Sequence, residues 1–251
     1  MKLDMKSHRT NGLLITLCGL DGSGKTTQIR LLKDYLESQG KKVFVTKQPT
    51  DEVRNSDIFR AYMDNEDHSA YEYRALSLLC AGDRLQHSNK VILPLLAEGY
   101  TVISDRYYYS CLANLIARGY HDDRWIYEIA KDIPKPDAAI FLDIPARTAI
   151  SRVRSRGEEK NRYIDNDLQY HLRELYLQIA RSNGGIIVNT QENEASCFEE
   201  IRKYIDSVYE SGSVEILNGF CVRRGAKGMA AETYLTDENP SIAQIIGMPR
   251  V

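Results

Sequence analysis

Residues Leu13 to Thr26 read LLITLCGLDGSGKT, and this stretch decides the fold. Its first half, Leu13–Cys18, is a continuous apolar run, the pattern of a strand buried on both faces. Its second half, Gly19-Leu20-Asp21-Gly22-Ser23-Gly24-Lys25-Thr26, satisfies G-x-x-x-x-G-K-[ST] in full. Glycines let such a loop curl until successive backbone N–H groups point into one concavity that holds an anion. The helix that follows adds the positive end of its dipole. QIRLLKDYLESQ, Gln28–Gln39, supplies that helix, with Ile29, Leu32 and Leu36 on one face and Gly40 as its stop. Gly19, Asp21, Gly22, Ser23, Gly24, Lys25, Thr26 and Thr27 are therefore the expected polyphosphate cradle. Within it Lys25 reaches the β- and γ-phosphates and the Thr26 hydroxyl ligates Mg²⁺.

Beyond this stretch, short β-branched runs alternate with helical patterns, which predicts an α/β domain built on a parallel sheet. The further strands are Lys42–Lys47, halted by Pro49, then Tyr100–Ser104, Ala138–Ile144 and Gly185–Asn189. A long helical pattern spans about Tyr71 to Glu98, with a possible break near Pro94. Two helical stretches bracket His121–Asp122. From residue 212 onward glycines interrupt the chain, so 1–211 reads as the P-loop domain and 212–251 as a C-terminal extension outside the main sheet.

Bulk properties narrow the function. Thirty-three basic residues face 35 acidic ones, a net charge of −2, so nothing draws the whole chain to nucleic acid or an anionic membrane. Five cysteines lie far apart with no CxxC pair, as expected of free thiols in a reducing compartment. Met1–Asn11 lacks the apolar core of a signal peptide, and no apolar run is long enough to span a bilayer. A cytoplasmic protein without a membrane partner is expected.

Two further places carry chemistry. Asp105 and Arg106 follow the third strand. A carboxylate there lies beside the phosphate cradle and suits Mg²⁺ or its waters, although aspartate also caps helices well. Arg106 is either a planar fork for phosphate or a solvated residue. Ser151–Tyr163, SRVRSRGEEKNRY, places Arg152 and Arg156 on one helical face and Arg154 on another before Gly157. Such a run is either a charged helix end or a lid that excludes water and brings cations to a phosphoryl group in transit. Downstream of the cradle, the lid is the better reading.

In this order the pieces resemble the thymidylate kinase family of nucleoside monophosphate kinases, from about Leu13 to Tyr209. The resemblance rests on GLDGSGKTTQ at Gly19–Gln28, on AGDRLQHSNKVILPLLAEGYTVISDRYYYS at Ala81–Ser110 and on KPDAAIFLDIPARTAISRVRSRG at Lys135–Gly157. It implies a three-layer P-loop NTPase fold, a five-stranded parallel sheet wrapped by helices with a lid, and often a homodimer. It also implies ATP-dependent phosphorylation of a nucleoside monophosphate, with dTMP the leading acceptor. Lys25 and Thr26 would hold ATP phosphates and Mg²⁺, and Asp105 would serve the metal. Asp21 would contact the acceptor sugar, Arg84 its base, and Asp105-Arg106 would lie near its phosphate. Since position 22 is Gly, Arg154 or Arg156 of the lid would supply the cation that catalysis needs.

Three positions depart from the family pattern. Lys47-Gln48-Pro49 stands where Arg-Glu-Pro is common, so Lys47 would attract phosphate as a point charge rather than a fork. Cys80 stands where a base-stacking phenylalanine is usual, and Asn114-Leu115 where an aromatic and Gln are usual. Tyr107, Tyr108 or Tyr109 would then be the compensating ring. These departures leave open a kinase of the same scaffold acting on another small phosphate-bearing acceptor. A nucleotide-binding module without turnover is the remaining alternative. Asn89-Lys90 is followed by Val91-Ile92 rather than by an aspartate, so the guanine-reading motif of such switches is missing.

Overall fold

The computed structural model describes residues 1–65, 67–68, 71–157, 163–212, 214–217, 220–223 and 233–235. Five strands form one parallel sheet: β1 (Leu13–Gly19), β2 (Val43–Lys47), β3 (Thr101–Asp105), β4 (Ala138–Asp143) and β5 (Ile186–Asn189). Their order is β2-β3-β1-β4-β5. The central strands explain their own composition. Residues 14–19, 101–104 and 138–142 are buried throughout, as the continuous apolar runs require. Edge strand β2 instead leaves Phe44 and Val45 partly exposed.

Helices flank this sheet. α1 (Lys25–Ser38) packs against β1, β2 and β3. α2 (Asp51–Arg54), α3 (Asp57–Asp64) and α4 (Tyr73–His87) follow β2. α5 (Leu93–Ala97) leads into β3, and α6 (Tyr108–Ala117) and α7 (Trp125–Ala130) leave it. α8 (Ala146–Arg154) follows β4, α9 (Asn166–Asn183) follows the lid segment, and α10 (Glu194–Gly212) follows β5. The helical pattern around Pro94 is not broken. Pro94 has no N–H to offer the carbonyl four residues back, and the helix widens to a π turn over Ser88–Ile92 just before it.

The chain divides into two compact units, 1–201 and 202–251. In the second, β6 (Val214–Leu217), β7 (Phe220–Arg223) and β8 (Thr233–Leu235) pair antiparallel in a sheet of their own. In the first, the segment before β1 is tied down. Leu3 and Met5 are buried, Lys6 N–H donates to Ile133 O (2.9 Å), and Lys135 N–H donates to Lys6 O (2.7 Å).

The sheet order fixes where function can sit. The chain leaves β1 toward the β2 edge but leaves β3 in the other direction, past β1 to β4, so the carboxyl ends of β1 and β3 flank the crevice where open α/β sheets bind ligands. Gly19 ends β1 there, with Asp105 at the end of β3 and Asp143 at the end of β4.

Candidate active site

The loop Gly19–Gly24 turns the chain from β1 into α1. Gly24, the residue capping α1, has φ 92°, and no side chain caps the helix. The first N–H groups of α1 are thus left for a ligand, with the dipole of a 14-residue helix behind them. Gly22 (φ 82°) answers a second demand. A Cβ there would lie 2.3 Å from Ala149 O, so only glycine lets α8 approach the loop this closely. Lys25 is buried and its ammonium donates to Leu20 O (2.7 Å) and Gly19 O (3.2 Å). Burial first, and then the nearby Arg106 charge, lower its pKa from 10.5 to about 8.

Across the crevice, Asp105 is not a helix cap. α6 is entered through Tyr107, with no side-chain cap. Asp105 Oδ1 is instead buried without any hydrogen-bond partner, in a pocket it shares with Thr26 and Lys47. An unpartnered buried carboxylate oxygen is costly and calls for a cation or a donor.

Arg106 occupies the left-handed region (φ 64°), rare for a residue with a side chain. Its N–H donates to Leu17 O (2.8 Å), and Ser104 Oγ donates to its carbonyl (2.7 Å). This backbone aims the guanidinium back at the loop, where Nη1 donates to Gly19 O (3.2 Å) and Nη2 donates to Asp21 Oδ1. Burial acts to lower the Arg106 pKa, but Asp21, with Tyr176 and Asp105, outweighs it and raises the value.

Beside this pair opens a pocket of about 660 Å³, walled by α2, α3, α4, α6 and α9. Six arginines line it, Arg54, Arg60, Arg84, Arg106, Arg118 and Arg156, against two aspartates, Asp21 and Asp64. Arg60 pairs with Asp64 (2.7 Å) and Arg106 with Asp21. Arg54, Arg84 and Arg118 form no salt bridge among the described residues. Arg54 Nε donates to Pro49 O (2.7 Å), and burial followed by the Arg106 charge lowers its pKa. Arg84 is 3% exposed; Nη1 donates to Cys80 O (2.9 Å) while Nε has no partner. Cations crowded into one partly closed pocket repel each other unless an anion joins them. The remaining walls are apolar and aromatic. Tyr73 and Phe59 line the pocket, and the Arg118 guanidinium lies over the Tyr73 ring at 4.0 Å.

Comparison with known proteins settles the family. The thymidylate kinase family model ("Thymidylate kinase") matches residues 17–201. "Probable thymidylate kinase" of Pyrococcus horikoshii is 42% identical over 173 residues, covering 67% of this chain and 83% of that protein. "Probable thymidylate kinase" of Pyrococcus abyssi is 40% identical over 193 residues, 76% of this chain and 94% of that one. "Thymidylate kinase" of Bacillus mycoides is 34% identical over 204 residues, 78% and 97%. The chain belongs to the thymidylate kinase family.

Of the site residues expected by resemblance to thymidylate kinases, Asp21, Cys80, Arg84, Arg106 and Arg156 line one pocket, and Asn114 lines it with them. Lys25, Thr26 and Thr27 begin α1 at the loop. Three others lie elsewhere. Lys47 lies outside the arginine pocket. It opposes Asp105 across the β2–β3 ladder, pairs with Asp51 (2.7 Å) and faces the pocket of Thr26 and Asp105. Tyr107 is fully buried, and its hydroxyl donates to Pro134 O (2.7 Å). Tyr108 and Tyr109 are core residues too, so none of the three is free to stack on a base. Arg154 ends α8 exposed and does not line the pocket, and Arg152 donates to Thr190 O (3.1 Å). The loop of the lid, residues 158–162, lies outside the described residues. Sequence reasoning missed Arg54, Phe59, Tyr73 and Arg118. Arg54 sits in DEVRNSD, a polar run that reads as surface.

Proposed function

We propose that this chain transfers the γ-phosphoryl group of ATP to dTMP, giving dTDP and ADP. The observation that carries this reading is the arginine pocket meeting the phosphate cradle at the Asp21–Arg106 pair. ATP phosphates lie in the loop Gly19–Thr27 with Lys25 across them. The acceptor lies in the pocket, its phosphate held by Arg54 and Arg106 and its base against Arg84, Cys80 and the Tyr73 and Phe59 rings. Asp21 is placed for the sugar. Arg156 supplies the lid cation in place of a cradle arginine, which the contact of Gly22 with α8 leaves no room for.

Thr26 and Asp105 fit Mg²⁺, since the unpartnered Asp105 oxygen shares a pocket with the Thr26 hydroxyl. When bound, the ion would neutralise charge on the β- and γ-phosphates. No general base is required, because a phosphate monoester is largely dianionic at pH 7 and its attacking oxygen is already charged. Lys25, Arg106, Arg54 and Arg156 instead offset the repulsion of two polyanions and align them. We infer a homodimer, supported by Leu78 and Leu79, which leave 44% and 39% of their surface exposed on α4. We place the enzyme in the cytoplasm, with support from the unpaired thiols Cys18, Cys80, Cys111 and Cys197.

An acceptor panel with ATP and Mg²⁺ tests the reaction. Diphosphate formation fastest with dTMP among the nucleoside monophosphates is expected. Turnover only with a non-nucleotide phosphate, or none at all, overturns the proposal.

A further inference from the structure

One buried group of the site has no part in the chemistry described above. Tyr176 lies on α9, far along the chain from the cradle, and is 4% exposed. Its hydroxyl accepts from Arg106 Nη1 (3.1 Å) and donates to Ser110 Oγ (3.1 Å), which in turn donates to Cys18 Sγ (3.9 Å). The direction of this chain is forced. A guanidinium has donors only, so the phenol must offer it a lone pair and turn its own proton to Ser110. Burial pushes the Tyr176 phenol above its ordinary value, which keeps that proton in place. Donor chains of this kind polarise each link in the same sense.

The position on α9 adds a second observation. Leu168, Leu172 and Tyr176 recur at helical spacing and all line the acceptor pocket. α9 begins directly after the lid, capped by Asp165, whose side chain accepts from Leu168 N–H (3.0 Å). One face of this helix therefore runs from the root of the lid to the guanidinium of Arg106.

We propose that Tyr176 is a positioning residue for phosphoryl transfer: it fixes the plane of the Arg106 guanidinium from α9. The inference rests on Arg106 as a ligand of the acceptor phosphate. Gly19 O and Asp21 hold two edges of the guanidinium from the cradle side. Tyr176 is the contact from α9 and is the second acceptor of Nη1, which it shares with Gly19 O. Without it, Arg106 keeps Gly19 O and Asp21 but loses the second acceptor of Nη1, so the plane it presents to phosphate is held less firmly.

Steady-state kinetics of full-length Tyr176→Phe, alone and combined with Arg106→Lys, test this. The ring and its packing against Phe141 are kept. The KM for dTMP is expected to rise about tenfold, with the KM for ATP within about twofold of wild type. In the Arg106→Lys background Tyr176→Phe is expected to add less than about twofold, because the fork it orients is gone. Equal effects on both substrates, full additivity or wild-type kinetics overturns the positioning role while leaving the proposed reaction intact. If Arg106→Lys itself has wild-type kinetics, Arg106 is not the phosphate ligand and both fall. Should Tyr176→Phe fail to fold, Ser110→Ala removes the acceptor of the phenol proton. It is expected to raise the dTMP KM about threefold, and an unchanged KM overturns the inference.

Discussion

The donor and acceptor halves of this site are built in opposite ways. The phosphate cradle is one continuous loop between a buried strand and a helix, and its key lysine donates to carbonyls five and six residues away. The acceptor pocket is assembled from five helices spread from Arg54 to Tyr176. A contiguous cradle is set by local backbone geometry, so its glycines and helix terminus can be read without knowing the fold. A pocket made of distant arginines exists only after the sheet order and helix packing have been chosen. Arg54, Arg84 and Arg118 form no salt bridge among the described residues, and like charges this close repel one another.

The two halves should respond differently to substitution. Lys25→Ala is expected to lower turnover at least about a hundredfold, roughly 2.7 kcal/mol of barrier, as read in kcat with both substrates saturating. A variant within tenfold of wild type would remove Lys25 from the chemistry. Arg54→Ala should raise the KM for dTMP about thirtyfold and leave that for ATP nearly unchanged. An equal rise for ATP would place Arg54 in the wrong half. At the border, Arg156→Ala is expected to lower kcat about tenfold while Arg154→Ala stays within about threefold. The reverse order would show that the exposed end of α8, rather than the pocket-lining arginine, serves the lid.

The smallest expected effect is on pH dependence. Lys25 has its pKa lowered to about 8 in the free protein, and bound phosphates favour the ammonium form. Above pH 8, ATP binding should therefore take up a proton, and ATP affinity should weaken by a few fold toward pH 9. Calorimetry in buffers of different ionisation enthalpy measures that uptake. Stability moves the other way. Between about 8 and 10.5 the unfolded chain holds more protons on this lysine than the folded one, so folding is favoured as pH rises through that window. dTMP binding should show no such proton uptake above pH 8.

The same contrast explains what could be read in the sequence. All five strands were visible in their apolar runs, displaced by about one residue at ends such as Tyr100, where a strand edge meets a turn. The helix through Pro94 looked broken because a missing N–H stops an α-helix, yet a π turn accommodates it. Lys25, Thr26 and Asp105 were placed from motif and strand end alone. Tyr107 was misread because a tyrosine run after a strand looks available, while Pro134 and the core absorb it. Lys47 was read as a point charge for phosphate; it stands in register with Asp105 and pairs with Asp51, a contact that only the folded loop after β2 creates. Arg54, Tyr73 and Arg118 carry no local signal, because their roles arise from packing between helices distant in sequence.

Titration calorimetry of each nucleotide into two variants tests the division most directly. Lys25→Ala should lose affinity for ATP and bind dTMP like the wild type, whereas Arg54→Ala should lose affinity for dTMP and bind ATP like the wild type. If both variants lose the same nucleotide, or each loses both, the site is not made of a contiguous donor half and an assembled acceptor half.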